Sequence, residues 1–285
     1  MAEAEPVGRF DRDTAVHRQG TAGEQQLFAA AVSPDWRAGR GPHGGYLAAM
    51  ILRALSETVA EPARAPRSLT IHFPRAPEPG PVTIRTVLER RGRSLSTLSA
   101  RMEQDGSVRA LALAAFSVPW LGPEHAELAM PDVAGADLDR ARHQRPHHPQ
   151  APPISRMIRV QPRFGGRPLS GEEQPMELGG WVELAEGRPI DALALAFFAD
   201  ALMPAPFMRL SEPNPVPTVD LTIHFRVSLP RAGDPADLER RCLVRVRAGA
   251  IQEGFFDEDT VIWAPDGTLL AQSRQLGLFV GDGIG

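Results

Sequence analysis

One pentapeptide, Leu-Thr-Ile-His-Phe, occurs twice in the chain, at residues 69–73 and 221–225. Each copy follows an apolar run typical of a helix, at residues 45–55 and 192–203, and precedes several strand-like segments that end in an Asp-Gly turn and a last apolar strand. Recurrence of this kind indicates a repeated supersecondary unit, and two copies are too few for a solenoid. The sequence therefore predicts two related domains in one chain.

The order of elements predicts an α+β fold in which an antiparallel sheet wraps around one buried helix in each domain. The first predicted helix runs from Tyr46 to about Val59 and is apolar almost all round, which is typical of a helix buried on most sides. The second is predicted at residues 191–203, with Asp191 as its N-cap. The pair Asp105-Gly106 lies between two strand-like runs and is a strong hairpin signal. We expect the two repeated strands to be related by a pseudo-twofold axis.

The predicted domains are residues 1–118 and 155–285, joined by a Pro-rich linker at residues 119–154. The first 25 residues are polar and predict a frayed start. Three of the linker's four histidines lie within residues 143–148, and a His-rich tract can bind metal. Metal sites need convergent ligands, which this stretch lacks, so we expect a solvated linker and no metal. The three histidines are His143, His147 and His148.

Composition limits the class of protein. The chain has 285 residues, of which 42% are hydrophobic and 23% charged, so a packed core is expected. A net charge of −4 gives no sign of a nucleic-acid or anionic-membrane partner. All 31 basic residues are arginine, which with the Ala, Gly and Pro content indicates a GC-rich bacterial genome. The single cysteine, Cys242, is interpreted as a structural thiol in a cytoplasmic protein. Neither a signal peptide nor a membrane span is expected.

Three polar residues occur in the second domain where the first domain has apolar or inert residues. Each has an ordinary structural explanation: an ion pair near a helix end, a strand start, or an exposed strand position. Together they favour a duplicated domain, equivalent to a fused dimer, in which only the second copy retains an active site. The carboxylate contributes most to this interpretation, because an unpaired carboxylate on a buried helix costs several kcal/mol. The matched positions are Asp200 with Ala48 or Ala49, Thr218 with Pro66, and Gln275 with Ala114.

The glycine-rich loop at residues 41–45 opens the first helix. Glycines there let a substrate approach the backbone, and the free amides at a helix N-terminus stabilise a developing negative oxygen. Gly44 and Gly45 are therefore candidate oxyanion-binding residues, and a plain tight turn is the alternative. His43 is a possible catalytic histidine, although a loop residue is the simpler interpretation. Because His72 and His224 occur in both copies, we expect them to be structural.

These residues resemble the thioesterase II-like acyl-CoA thioesterases, whose chain consists of two fused hot-dog domains. The resemblance covers most of the chain, including the Pro-rich linker. It includes PHGGYLAA at residues 42–49, AFFADALMP at 196–204, PTVDLTIHF at 217–225 and LLAQSRQLGLF at 269–279. The resemblance implies two tandem hot-dog domains in which the catalytic acid, hydroxyl and amide that activate a water are Asp200, Thr218 and Gln275.

The resemblance further implies hydrolysis of a fatty acyl-CoA to free acid and CoA, without metal or redox cofactor. Acyl-CoA is then the substrate partner, and we expect a homo-oligomer, at least a dimer of the double hot-dog chain. The acyl chain is predicted to lie in an apolar slot lined by Met50, Phe197, Met203 and Phe207. Two alternatives stay open: a non-catalytic acyl-CoA-binding protein, and a hot-dog hydratase or dehydratase that uses His43 with an acid.

Overall fold

The computed structural model describes residues 8–133, 151–230 and 240–280. These residues form 15 strands and three α-helices. The strands before the linker are β1 His17–Ala22, β2 Gln25–Val32, β3 Arg37–Ala38, β4 Gly41–Pro42, β5 Ala65–His72, β6 Gly80–Arg91, β7 Leu95–Gln104 and β8 Ser107–Ser117. Those after it are β9 Ile158–Phe164, β10 Glu177–Leu184, β11 Thr218–Phe225, β12 Arg241–Arg247, β13 Ile251–Gln252, β14 Phe255–Trp263 and β15 Leu269–Leu278. The helices are α1 Arg9–Asp13, α2 Gly44–Val59 and α3 Ala192–Phe198.

Both halves of the chain contribute to one antiparallel sheet of 13 strands within the described residues. Its order is β1-β2-β6-β7-β8-β5 followed by β11-β15-β14-β12-β10-β9, with β13 paired to β14. The second half repeats the order of the first in reverse, so β5 corresponds to β11 and β8 to β15. The helices α2 and α3 pack together in one apolar core that spans both halves.

The two halves meet at the repeated pentapeptides, because β5 pairs directly with β11. In this antiparallel pair Thr70 lies opposite Thr222, and their hydroxyl oxygens are 3.1 Å apart. Equivalent residues therefore face each other, with Leu69 opposite Ile223 and Ile71 opposite Leu221. A local twofold axis between Thr70 and Thr222 follows from this register, as the sequence repeat predicts.

Helix α2 is the buried helix that the sequence predicts, and it begins two residues earlier, at Gly44. His43 caps it by accepting a hydrogen bond from the Tyr46 amide at 3.3 Å. Its side chains are buried around most of the helix, including Met50 and Leu52, which have no exposed surface. The helix ends where Ala60 adopts a left-handed conformation with φ of 53°, a common way to satisfy the last carbonyls.

Helix α3 is shorter than predicted. Asp191 caps it, as expected, by accepting from the Ala194 amide at 2.8 Å, but the helix ends at Phe198 instead of continuing to residue 203. Asp200 therefore lies in the turn after the helix. The turn is stabilised by tertiary contacts with His43 and Gly45, so the polar groups of Asp200 find partners without another helical turn.

The prediction of a frayed start is wrong for residues 9–22, which form α1 and β1. Phe10 anchors this segment with no exposed surface. Its ring lies 5.6 Å from the Trp36 ring and 5.7 Å from the Phe197 ring. Phe10 thus anchors a polar segment. The residues around it are charged and show no apolar periodicity, so the sequence pattern did not predict this contact.

The described part of the linker also packs more closely than a solvated linker would. Trp120 and Leu121 are exposed, as expected. Further along, Met130 and Val133 pack against a small cluster of Trp181, Leu243 and Trp263 on the second half of the sheet. The Trp263 indole donates to the Leu128 carbonyl at 3.0 Å. The histidines at 143, 147 and 148 lie outside the described residues.

Candidate active site

Asp200 lies where the end of α3 meets the beginning of α2. One carboxylate oxygen, Oδ2, accepts a hydrogen bond from the Gly45 amide at 2.9 Å. The Asp200 backbone carbonyl is 2.7 Å from His43 Nε2, and the same nitrogen is 3.6 Å from Oδ2. Only 11% of the side-chain surface is exposed. A carboxylate is thus held at the N-terminus of α2, where the helix dipole favours negative charge.

His43 is fixed by contacts at both ring nitrogens. Because Nδ1 accepts from the Tyr46 amide, Nε2 carries the proton and donates to the Asp200 carbonyl. The ring also lies 5.2 Å from the ring of Phe197, and the side chain is 7% exposed. The histidine therefore joins α2 to the turn that carries Asp200.

The two candidate glycines permit a close approach between the helices. A Cβ atom on Gly45 would lie 2.4 Å from the Phe197 carbonyl oxygen, so any side chain there would collide with backbone. A Cβ atom on Gly44 would lie 2.8 Å from Asp200 Oδ2. Gly45 thus packs against the end of α3, and Gly44 against Asp200 in the turn that follows, residues 199–200, here called the acidic turn. The Gly45 amide is the hydrogen-bond donor to Asp200.

Thr218 and Gln275 are in direct contact on neighbouring strands. The Thr218 hydroxyl donates to Gln275 Oε1 at 3.0 Å. Thr218 begins β11, and Gln275 lies on β15 with Ala271, Ser273 and Gly277 on the same buried face. The pair places a hydroxyl and an amide on the inner side of the sheet.

A fourth polar residue, Glu258 on β14, lies beside Gln275 and was not predicted from the sequence. It is 3% exposed. Gln275 Nε2 donates to its Oε1 at 2.5 Å, and the Ala205 amide donates to its Oε2 at 2.7 Å. Burial raises the pKa of Glu258 to about 8, and the negative charge of Asp200 contributes to the increase.

Asp200 lies near the other polar residues without bonding directly to Thr218 or Gln275 among the described contacts. Ser273, two positions before Gln275 on the same face of β15, donates to the Ala199 carbonyl at 3.0 Å. The charge of Asp200 also acts on Glu258. The turn that carries Asp200 therefore contacts the same face of β15 that carries Gln275.

The strand registers identify the first-half equivalents of these residues. Gln275 pairs with Leu221, and Ala114 pairs with Leu69, so Gln275 and Ala114 correspond as the sequence comparison predicts. Pairing across the next strand makes Leu98 the counterpart of Glu258. The sequence comparison counted positions from the glycine of each Asp-Gly turn. The turn between β14 and β15 is one residue longer than the turn between β7 and β8, so this count does not align Glu258 with Leu98.

The counterpart of Asp200 depends on where the count begins. Counting back from the repeated pentapeptide places the first-half counterpart of Asp200 at Ala48 or Ala49. Counting forward from the helix N-caps, His43 and Asp191, places it at Leu52. All three are apolar and have no exposed surface. The first half therefore lacks a matching carboxylate by either count.

The remaining sequence candidates lie elsewhere. His72 and His224 are exposed on the strands at the junction. Cys242 is buried, and burial raises the pKa of its thiol, so the neighbouring arginines do not make it a thiolate. Within the described residues no three His, Cys, Asp or Glu side chains cluster as metal ligands. None of the described helices is long and apolar enough to cross a membrane.

The predicted acyl-lining residues have very different exposure. Met50 and Phe197 have no exposed surface and belong to the packed core. Phe207 is 8% exposed, and Met203 is 42% exposed just after the acidic turn. A shared slot for all four stays a prediction.

Comparison with known proteins places the fold in a family. A crystal structure of a hot-dog protein of unknown function from Alicyclobacillus acidocaldarius has a TM-score of 0.82 and 28% identity, over 97% of this chain and 99% of the other. A protein from Thermobifida fusca, described as a candidate thioesterase II, has a TM-score of 0.77 and 27% identity over 97% and 99%. An uncharacterised protein of Mycobacterium tuberculosis is 26% identical over 289 residues, which is 89% of this chain and 91% of the relative.

Family models match both halves. The model of the acyl-CoA thioesterase N-terminal domain matches residues 32–117, and that of the C-terminal domain matches residues 128–279. The expected fold of two tandem hot-dog domains is confirmed by the hot-dog neighbour and by the single antiparallel sheet with its two packed helices. The chain therefore belongs to the acyl-CoA thioesterase family, in its double hot-dog, thioesterase II-like form.

Proposed function

We propose that this protein hydrolyses fatty acyl-CoA thioesters to a free acid and CoA with a water activated by Asp200. The observation that carries the proposal is the position of this carboxylate. It is held by the Gly45 amide, and its charge acts on Glu258, which is hydrogen-bonded to Gln275 of the Thr218-Gln275 pair. The other half of the chain has no matching polar set. Burying a carboxylate costs free energy that hydrogen bonds offset only in part, so its presence in one half alone favours a function there.

In the proposed reaction, Asp200 accepts a proton from a water while the water oxygen attacks the thioester carbonyl. The new C–O bond forms, the C–S bond breaks, and the proton passes to the leaving CoA sulfur. Thr218 and Gln275 fix the position of the water, which removes most of the orientational cost of the attack. The reaction needs no oxidant or reductant, because water and thioester alone balance the products.

Gly44 and Gly45 are proposed to bind the carbonyl oxygen as negative charge develops on it. Amides in the first turn of a helix have no acceptor within the helix, and the helix dipole adds to their effect. The Gly45 amide donates to Asp200 Oδ2, so a substrate oxygen would have to share or replace that contact. Substrate binding would then free the carboxylate to accept the proton of the water.

The hydratase alternative has one observation in its favour, because His43 Nε2 is 3.6 Å from Asp200 Oδ2. Against it, both ring nitrogens of His43 are already engaged, one by the Tyr46 amide and one by the Asp200 carbonyl. A histidine that shuttles protons to a substrate needs a free nitrogen. Hydrolysis is therefore the proposal, and a binding-only protein is the other outcome of the test.

The test is thiol release from a panel of saturated, branched and unsaturated acyl-CoAs of increasing length. We expect release above the rate of the uncatalysed reaction for at least one class of fatty acyl-CoA. Saturable binding without thiol release would support the binding-only protein instead. A change in enoyl absorbance without thiol release would support the hydratase.

A further inference from the structure

Glu258 is the buried acid that the proposed mechanism leaves unused. Its carboxyl receives two hydrogen bonds on its two oxygens, from the Ala205 amide and from Gln275 Nε2. Gln275 in turn accepts from the Thr218 hydroxyl. The three side chains therefore form a line of hydrogen bonds that begins at a titratable group in the interior and ends at the residue proposed to hold the water.

We propose that Glu258 is a positioning residue whose proton decides which end of the Gln275 amide faces Thr218, and so whether Thr218 offers the water an acceptor or a donor. The proposal rests on the hydrolytic function proposed above and adds a residue to it. Glu258 acts through Gln275 and touches neither the substrate nor the water.

With Glu258 ionised, all the hydrogen bonds in the line run in the direction described. Gln275 Nε2 donates to the carboxylate, so its oxygen faces Thr218 and takes the hydroxyl hydrogen. The Thr218 oxygen then has its lone pairs free and can accept a hydrogen from the water. A nucleophilic water has two hydrogens to place. Asp200 takes one and Thr218 takes the other, which leaves an oxygen lone pair directed at the carbonyl.

With Glu258 protonated, the direction reverses. The Ala205 amide is a fixed backbone donor, so it keeps Oε2 as an acceptor and the proton resides on Oε1. A proton on Oε1 faces Gln275 and requires an acceptor there, which turns the amide round. Gln275 then presents Nε2 to Thr218, whose own hydrogen points towards the water. In this state the water receives a hydrogen bond where it needs to give one.

The charges around Glu258 favour the protonated state near neutral pH. Burial is the largest cause of its raised pKa of about 8, and the Ala205 and Gln275 hydrogen bonds oppose it. The described charged groups that act on it are Asp200, from the turn after α3, and Asp257, its neighbour on β14; both are negative and raise the pKa. His43 faces Asp200 but bonds to its carbonyl. Thioester hydrolysis should therefore increase as the pH rises through about 8.

The experiment is the pH dependence of kcat/KM for wild type and for Glu258→Gln, from pH 6 to 9.5, corrected for uncatalysed hydrolysis. In the variant, the new amide oxygen must face the Ala205 amide, so its NH2 group faces Gln275 and reproduces the protonated arrangement. The variant should match wild type near pH 6.5, lack the increase around pH 8, and be about tenfold slower at pH 9, the effect of one hydrogen bond. A purely structural role would lower activity at every pH instead.

Two further variants make the test specific. Asp257→Asn removes a negative charge next to Glu258 and should move the midpoint of the increase to lower pH. Asp259→Asn removes a carboxylate from the same strand, but Asp259 is half exposed, so the midpoint should stay in place. An Asp257→Asn midpoint equal to that of wild type would contradict the assignment of the increase to Glu258.

The outcomes separate this proposal from the proposed function. Wild-type protein that releases no thiol from any acyl-CoA overturns the function and this proposal together. Wild-type protein that hydrolyses thioesters, with a pH profile that Glu258→Gln leaves unchanged, overturns only the role of Glu258. Urea unfolding of both proteins at each pH shows whether the variant is folded, so a slower variant that has lost its fold is recognised and the Asp257→Asn midpoint then decides.

Discussion

When Glu258 is ionised, Thr218 donates its one hydroxyl hydrogen to Gln275. The bond at 3.0 Å leaves the Thr218 oxygen with acceptor capacity only. Asp200 is also an acceptor, since its carboxylate accepts from the Gly45 amide and, when ionised, has no hydrogen to donate. The proposed water is therefore placed between acceptors, which is the arrangement that a general base requires. The function of these side chains depends on which atoms carry hydrogen as well as on their distances.

Thr218→Val should lower kcat about ten- to hundredfold, because it removes the hydroxyl while keeping the branched shape that suits a strand. Gln275 would also lose the donor to its Oε1. Steady-state thiol release measures the effect. Thr222→Val is the matched control, since Thr222 lies on the same strand and its hydroxyl faces Thr70. Equal losses in the two variants would indicate damage to the strand instead of loss of a catalytic contact.

Glu258 should also make folding stability depend on pH. Its folded-state pKa of about 8 is above the ordinary value of 4.5, so the folded protein binds this proton more tightly than the unfolded chain. The contribution is fully present below pH 4.5 and is lost as pH rises towards 8, by up to about 5 kcal/mol. Urea unfolding of wild type between pH 5 and 8 should show this decrease relative to Glu258→Gln. Parallel curves for the two proteins would contradict the raised pKa.

Two helix ends form the candidate site together. The N-terminus of α2 supplies Gly45 and His43, and the turn after α3 supplies Asp200. The glycine at position 45 lets the two backbones approach, since a Cβ there would lie 2.4 Å from the Phe197 carbonyl oxygen. Because α3 ends at Phe198, Asp200 lies close enough to the N-terminus of α2 to accept from the Gly45 amide.

The two glycines should respond differently to alanine. Gly45→Ala places a methyl group against fixed backbone and should cost about 1–3 kcal/mol of stability. Gly44→Ala meets the Asp200 side chain instead, 2.8 Å away, which can move. This variant should stay folded and lose activity. Thermal unfolding and thiol release of both variants measure the contrast. A Gly45→Ala protein as stable as wild type would show that the helices are not held at this distance.

Sequence patterns predicted the elements where one signal dominated. Helix α2 and the Asp105-Gly106 hairpin followed from apolar periodicity and turn chemistry, and both are present. The end of α3 could not be predicted, because the residues that contact the turn after it, His43 and Gly45, lie 157 and 155 positions before Asp200 in the chain. Phe10 illustrates the same limit, since a lone aromatic residue in a polar segment has no pattern. The sequence comparison identified Thr218 and Gln275 as candidates, and the two are hydrogen-bonded, whereas one extra residue in the second turn hid Glu258 from the same comparison.

The chain as a whole is a fused pair of related halves with one candidate site. The junction of β5 and β11 makes a continuous sheet, and its local twofold axis relates the two repeats. The candidate site does not obey that symmetry: Gln275 and Glu258 have Ala114 and Leu98 as counterparts. The first half instead contributes the N-terminus of α2 to the site. Fusion of the two units therefore lets one half supply the acid and the other half hold it.

The assembly is predicted to be at least a dimer of the whole chain. The described sheet ends in β1 on one side and β9 on the other, and exposed strand edges are commonly covered by a partner. Sedimentation equilibrium at micromolar concentration should give at least twice the chain mass of 30.9 kDa. A single species at the chain mass would contradict the prediction, and a concentration-dependent average would indicate a weak dimer.

The most direct measurement of the central claim is the turnover of Asp200→Asn. Asparagine keeps the shape and an oxygen that can accept from the Gly45 amide, so folding and acyl-CoA binding should survive while the base is lost. We expect kcat for thiol release to fall by roughly 10²–10⁴-fold, the range for positioned general bases, with binding by calorimetry little changed. Hydrolysis at the wild-type rate would contradict the account, because no activated water at Asp200 would then be needed.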